Sequence, residues 1–187
     1  NTPLHVAVFM GGPSSEHDVS LASGRGAADA LARERFRVTR VVIGRDHTWQ
    51  FDEDPPRALH DAVPHLRTLG VDCAFIALHG EFGEDGRIQG LLDLMRLPYT
   101  CSGVASSALA MDKVRCKSVV RAQGVRVAGH LALDRATWAA DPQAVLDAVT
   151  QDIGFPCVVK PNTLGSSVGV YIPEDAAALE TALAEVT

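Results

Sequence analysis

The chain has 187 residues, a mass of 19.9 kDa and a formal net charge of −6. With 47% hydrophobic and 21% charged residues it excludes disorder over most of its length and fits one large domain or two small ones. No apolar run reaches the roughly 20 residues of a membrane helix. From Ala136 onward seven acids face Lys160 alone while the rest is neutral, so no basic face invites nucleic acid.

In chain order, His5 to Met10 is a short apolar run that ends in Gly11 and Gly12, a strand followed by a turn. Val19 to Glu34, rich in alanine and free of proline, predicts a helix. Arg37 to Ile43 alternates and is β-branched, a second strand. Pro56 to Leu69 reads as a helix that Pro64 must bend or break. Cys73 to Leu78 is continuously apolar, as in a central strand buried on both faces. Ile88 to Met95 reads as a helix and Leu97 to Thr100 as a short strand. This β-α-β-α-β order predicts an α/β, parallel, doubly wound domain.

Beyond it the rhythm changes. Ser106 to Gln123 predicts one helix stopped by Gly124, Val125 to Leu133 a strand, and Asp141-Pro142 the start of a helix to about Thr150. Cys157 to Lys160 and Val168 to Ile172 read as strands joined by a Gly- and Ser-rich loop, with a last helix over Asp175 to Val186. The boundary falls near Met111, which divides the chain into 1–111 and 112–187. The four cysteines lack C-x-x-C spacing, so reduced thiols and a cytoplasmic protein are expected. The first residues lack the charged and apolar regions of a secretory leader.

Three loops carry residues for chemistry. Gly11 to Ser20 joins a strand to a helix, where free N–H groups gather. Ser15 and Asp18 could form a capping box there, which leaves Glu16 and His17 unexplained. His79 to Gly86 follows the apolar strand and sets His79 at its carboxyl edge, the favoured place for a functional side chain in such sheets. The plainer reading of His79 is a satisfied core histidine, and that of Glu84 and Asp85 is helix capping. Lys160 to Val170 is followed by a strand and not a helix, so it is no Walker loop. It reads as a hairpin flap whose backbone amides approach phosphate, or else as a surface hairpin with a snorkelling lysine. Lys113, in the first turn of its helix, is a weaker candidate with an exposed charge as its alternative reading.

Four stretches together resemble the D-alanine–D-alanine ligases of the ATP-grasp superfamily: Gly11 to Ser23, His79 to Leu92, Pro98 to Lys113 and Val158 to Val170. The resemblance implies a parallel N-terminal domain that binds D-alanine, followed by an incomplete α+β ATP-grasp central lobe. It implies ATP and Mg²⁺, an acyl phosphate formed on the first D-alanine, and attack by the amine of the second. Glu16 then holds the ammonium of the first D-alanine, Ser166 anchors a network with that glutamate, and His79 lies beside the substrate carboxylate. Lys113 and Lys160 contact phosphates, with Gly165 and Ser167 in the loop that closes over them. The metal ligands and a substrate-covering loop are expected beyond this chain, which alone is then inactive; a homodimer through the N-terminal domain is also implied. A ligase making D-alanyl-D-lactate, another ATP-grasp carboxylate–amine ligase and a non-catalytic fragment are the alternatives. Cys101 departs from the family pattern, which has glycine there, and cysteine fits only if its φ is negative.

Overall fold

The computed structural model describes residues 2–166 and 168–186, so Ser167 lies outside the described residues. The chain divides into two compact units, Asn1–Ala110 and Met111–Thr187.

The first unit is built on four strands in the order β3-β2-β1-β4. β1 (His5–Gly11) pairs in parallel with β2 (Arg37–Ile43) and with β4 (Cys73–Ile76). β3 (Trp49–Phe51), three residues the sequence does not announce, runs antiparallel to β2. All seven residues of β1 are buried because helices cover both faces of the sheet. Val6, Val8 and Met10 pack with Ala28 of α1 (His17–Arg33). Ala7, Phe9, Val41 and Ile43 pack on the other face with Ala62 and Leu66 of α2 (Leu59–Thr68) and with Ile88 and Leu92 of α3 (Arg87–Met95). Alternation along β1 thus feeds two cores, the doubly wound arrangement.

Several expectations are corrected. The β4 segment is the terminal strand of this sheet and not a central one. Among the described residues its outer side meets Pro98 to Thr100, through Ala74 N to Pro98 O at 2.8 Å and Thr100 N to Ala74 O at 2.9 Å. Leu97 to Thr100 is accordingly one bridge, Ala74 to Tyr99, and not a strand. Pro64 does not break α2, which runs through it. Cys101 has φ +75°, the left-handed region, contrary to the negative angle expected. Its side chain is exposed and unbranched, so the cost is confined to the backbone.

The chain beyond α3 departs further. The predicted helix over Ser106 to Gln123 is two helices, α4 (Val104–Met111) and α5 (Lys113–Ala122). Asp112 separates them because its carboxylate accepts from Arg115 N at 3.0 Å and caps α5. Val125 to Leu133 pairs with no strand among the described residues and is irregular. α6 (Arg135–Ala140) and α7 (Pro142–Asp152) follow, each capped by an aspartate, Asp134 and Asp141. The two predicted hairpin strands reduce to one antiparallel bridge, Val159 to Tyr171. α8 (Ala176–Val186) packs Leu179 and Leu183 on Val145, Leu146, Val149 and Cys157 to form the second unit's core. No described helix is long and apolar enough to cross a membrane.

Candidate functional site

In the first unit, three loops gather at the carboxyl end of the sheet: 12–16, 44–48 and 77–86. Ser20, fully buried, ties the strand ends together, accepting from Gly11 N at 2.8 Å and donating to Ala77 O at 2.7 Å. Glu16 is the N-cap residue of α1 but makes no capping bond, so the predicted Ser15–Asp18 box is absent. Its backbone N–H donates to Ser14 Oγ at 3.2 Å, and Ser14 Oγ in turn donates to His79 O at 2.8 Å. The Glu16 carboxylate lies against Gly80: a Cβ there would stand 2.7 Å from Glu16 Oε2. Among the described residues that carboxylate has no hydrogen-bond or ion-pair partner.

His79, half-buried, stands three residues after the end of β4, and its Nε2 lies 3.0 Å from Ser23 Oγ on α1. The loop after it is braced from within. Glu84 accepts from Gly80 N at 2.8 Å, and Asp85 accepts from Phe82 N at 2.8 Å and from Arg87 N at 3.1 Å. Asp85 thus meets the first N–H of α3, but Glu84 braces the loop and does not cap the helix, whose N-cap position is Gly86. Buried Gln89 adds a bond from its Nε2 to Gly83 O at 2.7 Å.

The loop between β2 and β3 closes the group. Arg45 donates to Ser14 O at 3.2 Å and pairs with Asp18 at 3.3 Å, and His47 meets the Phe82 ring edge-on at 6.1 Å. Sequence reasoning overlooks Arg45, Ser14 and Ser23; for the serines, their place in the loop and on the helix after it is the only signal.

In the second unit, Lys113 opens α5 and turns to the loop that Lys160 begins. Its Nζ donates to Asn162 O at 3.0 Å and to Leu164 O at 2.6 Å. Asn162 stitches the same junction: its Oδ1 accepts from Val114 N at 3.0 Å and its Nδ2 donates to Asp112 at 2.9 Å. Burial, and then the positive charge of Lys160, hold the Lys113 ammonium below the ordinary lysine pKa. Two cations are thus brought close in a unit otherwise rich in acids. Lys160 has no hydrogen-bond or ion-pair partner among the described residues. Gly165 is half-buried in the loop and Ser166 follows at φ +54° with its side chain exposed.

A cleft of about 900 Å³ opens here, lined by Lys113, Lys117 and Lys160 and by Leu131, Ile153 and Val159 among others. Apolar walls with a few convergent charges suit a small organic anion. Alternation about the Val159–Tyr171 bridge puts Val158, Lys160, Val170 and Ile172 on one face, and all four are exposed. The strand pattern around Lys160 could have revealed these valines, and the sequence reading passes over them. Among the described residues no three His, Cys, Asp or Glu side chains converge as a metal site.

Comparison with known proteins gives consistent matches. Residues 5–102 match the model "D-ala D-ala ligase N-terminus" and residues 119–187 match "D-ala D-ala ligase C-terminus". The D-alanine–D-alanine ligase of Chlorobium limicola is 38% identical over 95% of this chain and 57% of its own length. That of a Jannaschia species is 46% identical over 94% of this chain and 49% of its own. The chain thus spans about half the length of the curated relatives it matches. The solved D-alanine–D-alanine ligase of Coxiella burnetii superposes with a TM-score of 0.80 at 30% identity, covering 98% of this chain and 60% of that one. The D-Ala:D-Ser ligase VanG of Enterococcus faecalis, at 24% identity, shares the fold with a TM-score of 0.77, covering 98% of this chain and 59% of its own.

Proposed function

The chain belongs to the D-alanine–D-alanine ligase family, and on that premise we propose that it supplies the first amino-acid pocket and the phosphate-binding loops of an ATP-dependent ligase joining two D-alanines. The observation that carries this reading is the Glu16 carboxylate, seated on Gly80 with no partner among the described residues. An ammonium is the group that satisfies it, and an α-amino acid brings one. His79, one strand end away, meets the carboxylate of the same molecule as that carboxylate takes the γ-phosphoryl group of ATP and ADP leaves. The amine of the second D-alanine then displaces phosphate from the acyl phosphate.

In the second unit Lys113 and Lys160 take the nucleotide phosphates, with Gly165 and Ser167 in the covering loop and Ser166 hydrogen-bonding at its substrate end. The exposed faces of Val158 and Val170 flank the uncharged ring system of the nucleotide. Positioned cations of this kind supply most of the catalysis of phosphoryl transfer. The family's Mg²⁺ would share the phosphates with these lysines, adding to the same electrostatic work. The product serves peptidoglycan synthesis in the cytoplasm, and the first unit carries the dimer contact.

The test is titration of the isotope-labelled chain with ATP, D-alanine and L-alanine, followed through backbone amide signals. ATP is expected to move Lys113, Val114 and Gly165, and D-alanine to move Glu16 and Gly80. An ATP response confined to residues outside the loop and α5, or an equal response to L-alanine, overturns the reading.

A further inference from the structure

His79 is held twice by residues around the start of α1. Its carbonyl accepts from Ser14 Oγ at 2.8 Å, and its ring Nε2 lies 3.0 Å from Ser23 Oγ. The second contact bears on chemistry because the partner of one ring nitrogen selects which nitrogen carries the proton. Three hydroxyls in other helices turn back on their own backbone: Ser118 donates to Val114 O, Thr150 to Leu146 O and Thr181 to Ala177 O. Ser23 instead turns its hydroxyl to the histidine ring. A bare imidazole nitrogen is a far stronger acceptor than a hydroxyl oxygen. The favoured arrangement is therefore O–H of Ser23 donating to Nε2, which leaves the proton on Nδ1. Among the described residues Nδ1 has no partner of its own.

We propose that Ser23 is a positioning residue that holds neutral His79 in its Nδ1–H form. The histidine then presents a hydrogen-bond donor, without needing a positive charge, to a carboxylate or acyl-phosphate oxygen. Placing that ligand at Nδ1–H rests on the ligase reading above; the tautomer itself does not. The arrangement makes His79 an uncharged donor to developing negative charge. It also explains why a helix position open to solvent carries a serine whose hydroxyl is turned from the backbone toward another loop.

The experiment is long-range ¹H–¹⁵N correlation of the His79 ring in the isotope-labelled chain, at alkaline pH where the ring is neutral and with no ligand present. The Nδ1–H form is expected to dominate. Ser23→Ala, a favourable helix substitution, is expected to shift the ratio roughly two- to tenfold toward Nε2–H, the equivalent of one lost hydrogen bond. Ser23→Thr keeps a hydroxyl and is expected to restore the original ratio. A dominant Nε2–H form in the unaltered chain, or a ratio that Ser23→Ala leaves unchanged, overturns the proposal. Adding D-alanine afterwards separates the two ideas: a correct tautomer whose Nδ1–H signal ignores D-alanine sinks the ligand assignment and leaves the role of Ser23 standing.

Discussion

Replacing Gly80 with alanine probes the backbone that seats Glu16. Gly80 has φ +67°, and a Cβ there would stand 2.7 Å from Glu16 Oε2 and 3.4 Å from Ser14 Cβ. The left-handed conformation costs an alanine about 1–2 kcal/mol. The smaller entropy of an unfolded alanine offsets part of this, leaving a net loss of about 1 kcal/mol. For a unit of this size that lowers Tm by roughly 4 °C. The carboxylate must also swing off its seat, so a loss of D-alanine response should accompany the loss of stability. Gly26 is the control: it is an exposed helical position in α1 where an added Cβ meets nothing within 4 Å. There the same substitution should stabilise by about 0.5–1 kcal/mol. Urea unfolding followed through buried Trp49 reports on the unit that contains both sites. A Gly80→Ala chain as stable as the original, beside a stabilised Gly26→Ala chain, would refute the account of this loop.

Other outcomes follow from the same structure. Cys101→Gly removes the strain of φ +75° at an exposed position and should stabilise the first unit by about 0.5–1 kcal/mol; a lower thermal midpoint contradicts this. Lys160→Met removes a neighbouring positive charge, so the Lys113 ammonium should titrate higher, though burial still keeps it below an ordinary lysine. A Lys113 resonance whose midpoint stays or falls would rule out the coupling. Because folding weakens the hold of Lys113 on its proton, its contribution to stability improves as pH rises from its native pKa toward about 10.4. The Asp112 carboxyl is held below its ordinary pKa by the Arg115 N–H and by Asn162. Asp112→Ala should therefore cost stability near neutral pH, and the gap should shrink as acid titrates the native carboxyl. A gap independent of pH would mean that the charge of the cap is irrelevant.

The first unit was legible because its signals are local. The unbroken apolar run of β1, the alternation of β2 and the alanine-rich α1 each carry their own period. β3 was not, since three residues beginning at Trp49 become a strand only by pairing with β2. The end of α4 was hidden for a similar reason. Asp112 in a helical stretch reads as a solvated charge, yet its Oδ1 accepts from Arg115 N and also from Asn162, fifty residues on. Around the site, the motifs pointed to Glu16, His79, Lys113 and Lys160 by type and spacing. What supports those side chains is spread over Ser14, Ser23, Arg45 and Asn162, which meet their partners only in the fold. The left-handed angle at Cys101 had no trace in the identity of the residue, because cysteine does not ask for it.

Lys113 offers a last consequence. An ammonium has three N–H donors in tetrahedral array. Two are committed to the carbonyls of Asn162 and Leu164, which belong to the loop that starts at Lys160. The third direction is then set by the loop itself and no longer by a freely swinging side chain. Any movement of that loop re-aims the charge, so the lysine works as a gauge of loop position as much as a ligand for an anion. An arginine at 113 would keep the charge and lose the aim, since a planar fork cannot reproduce the geometry.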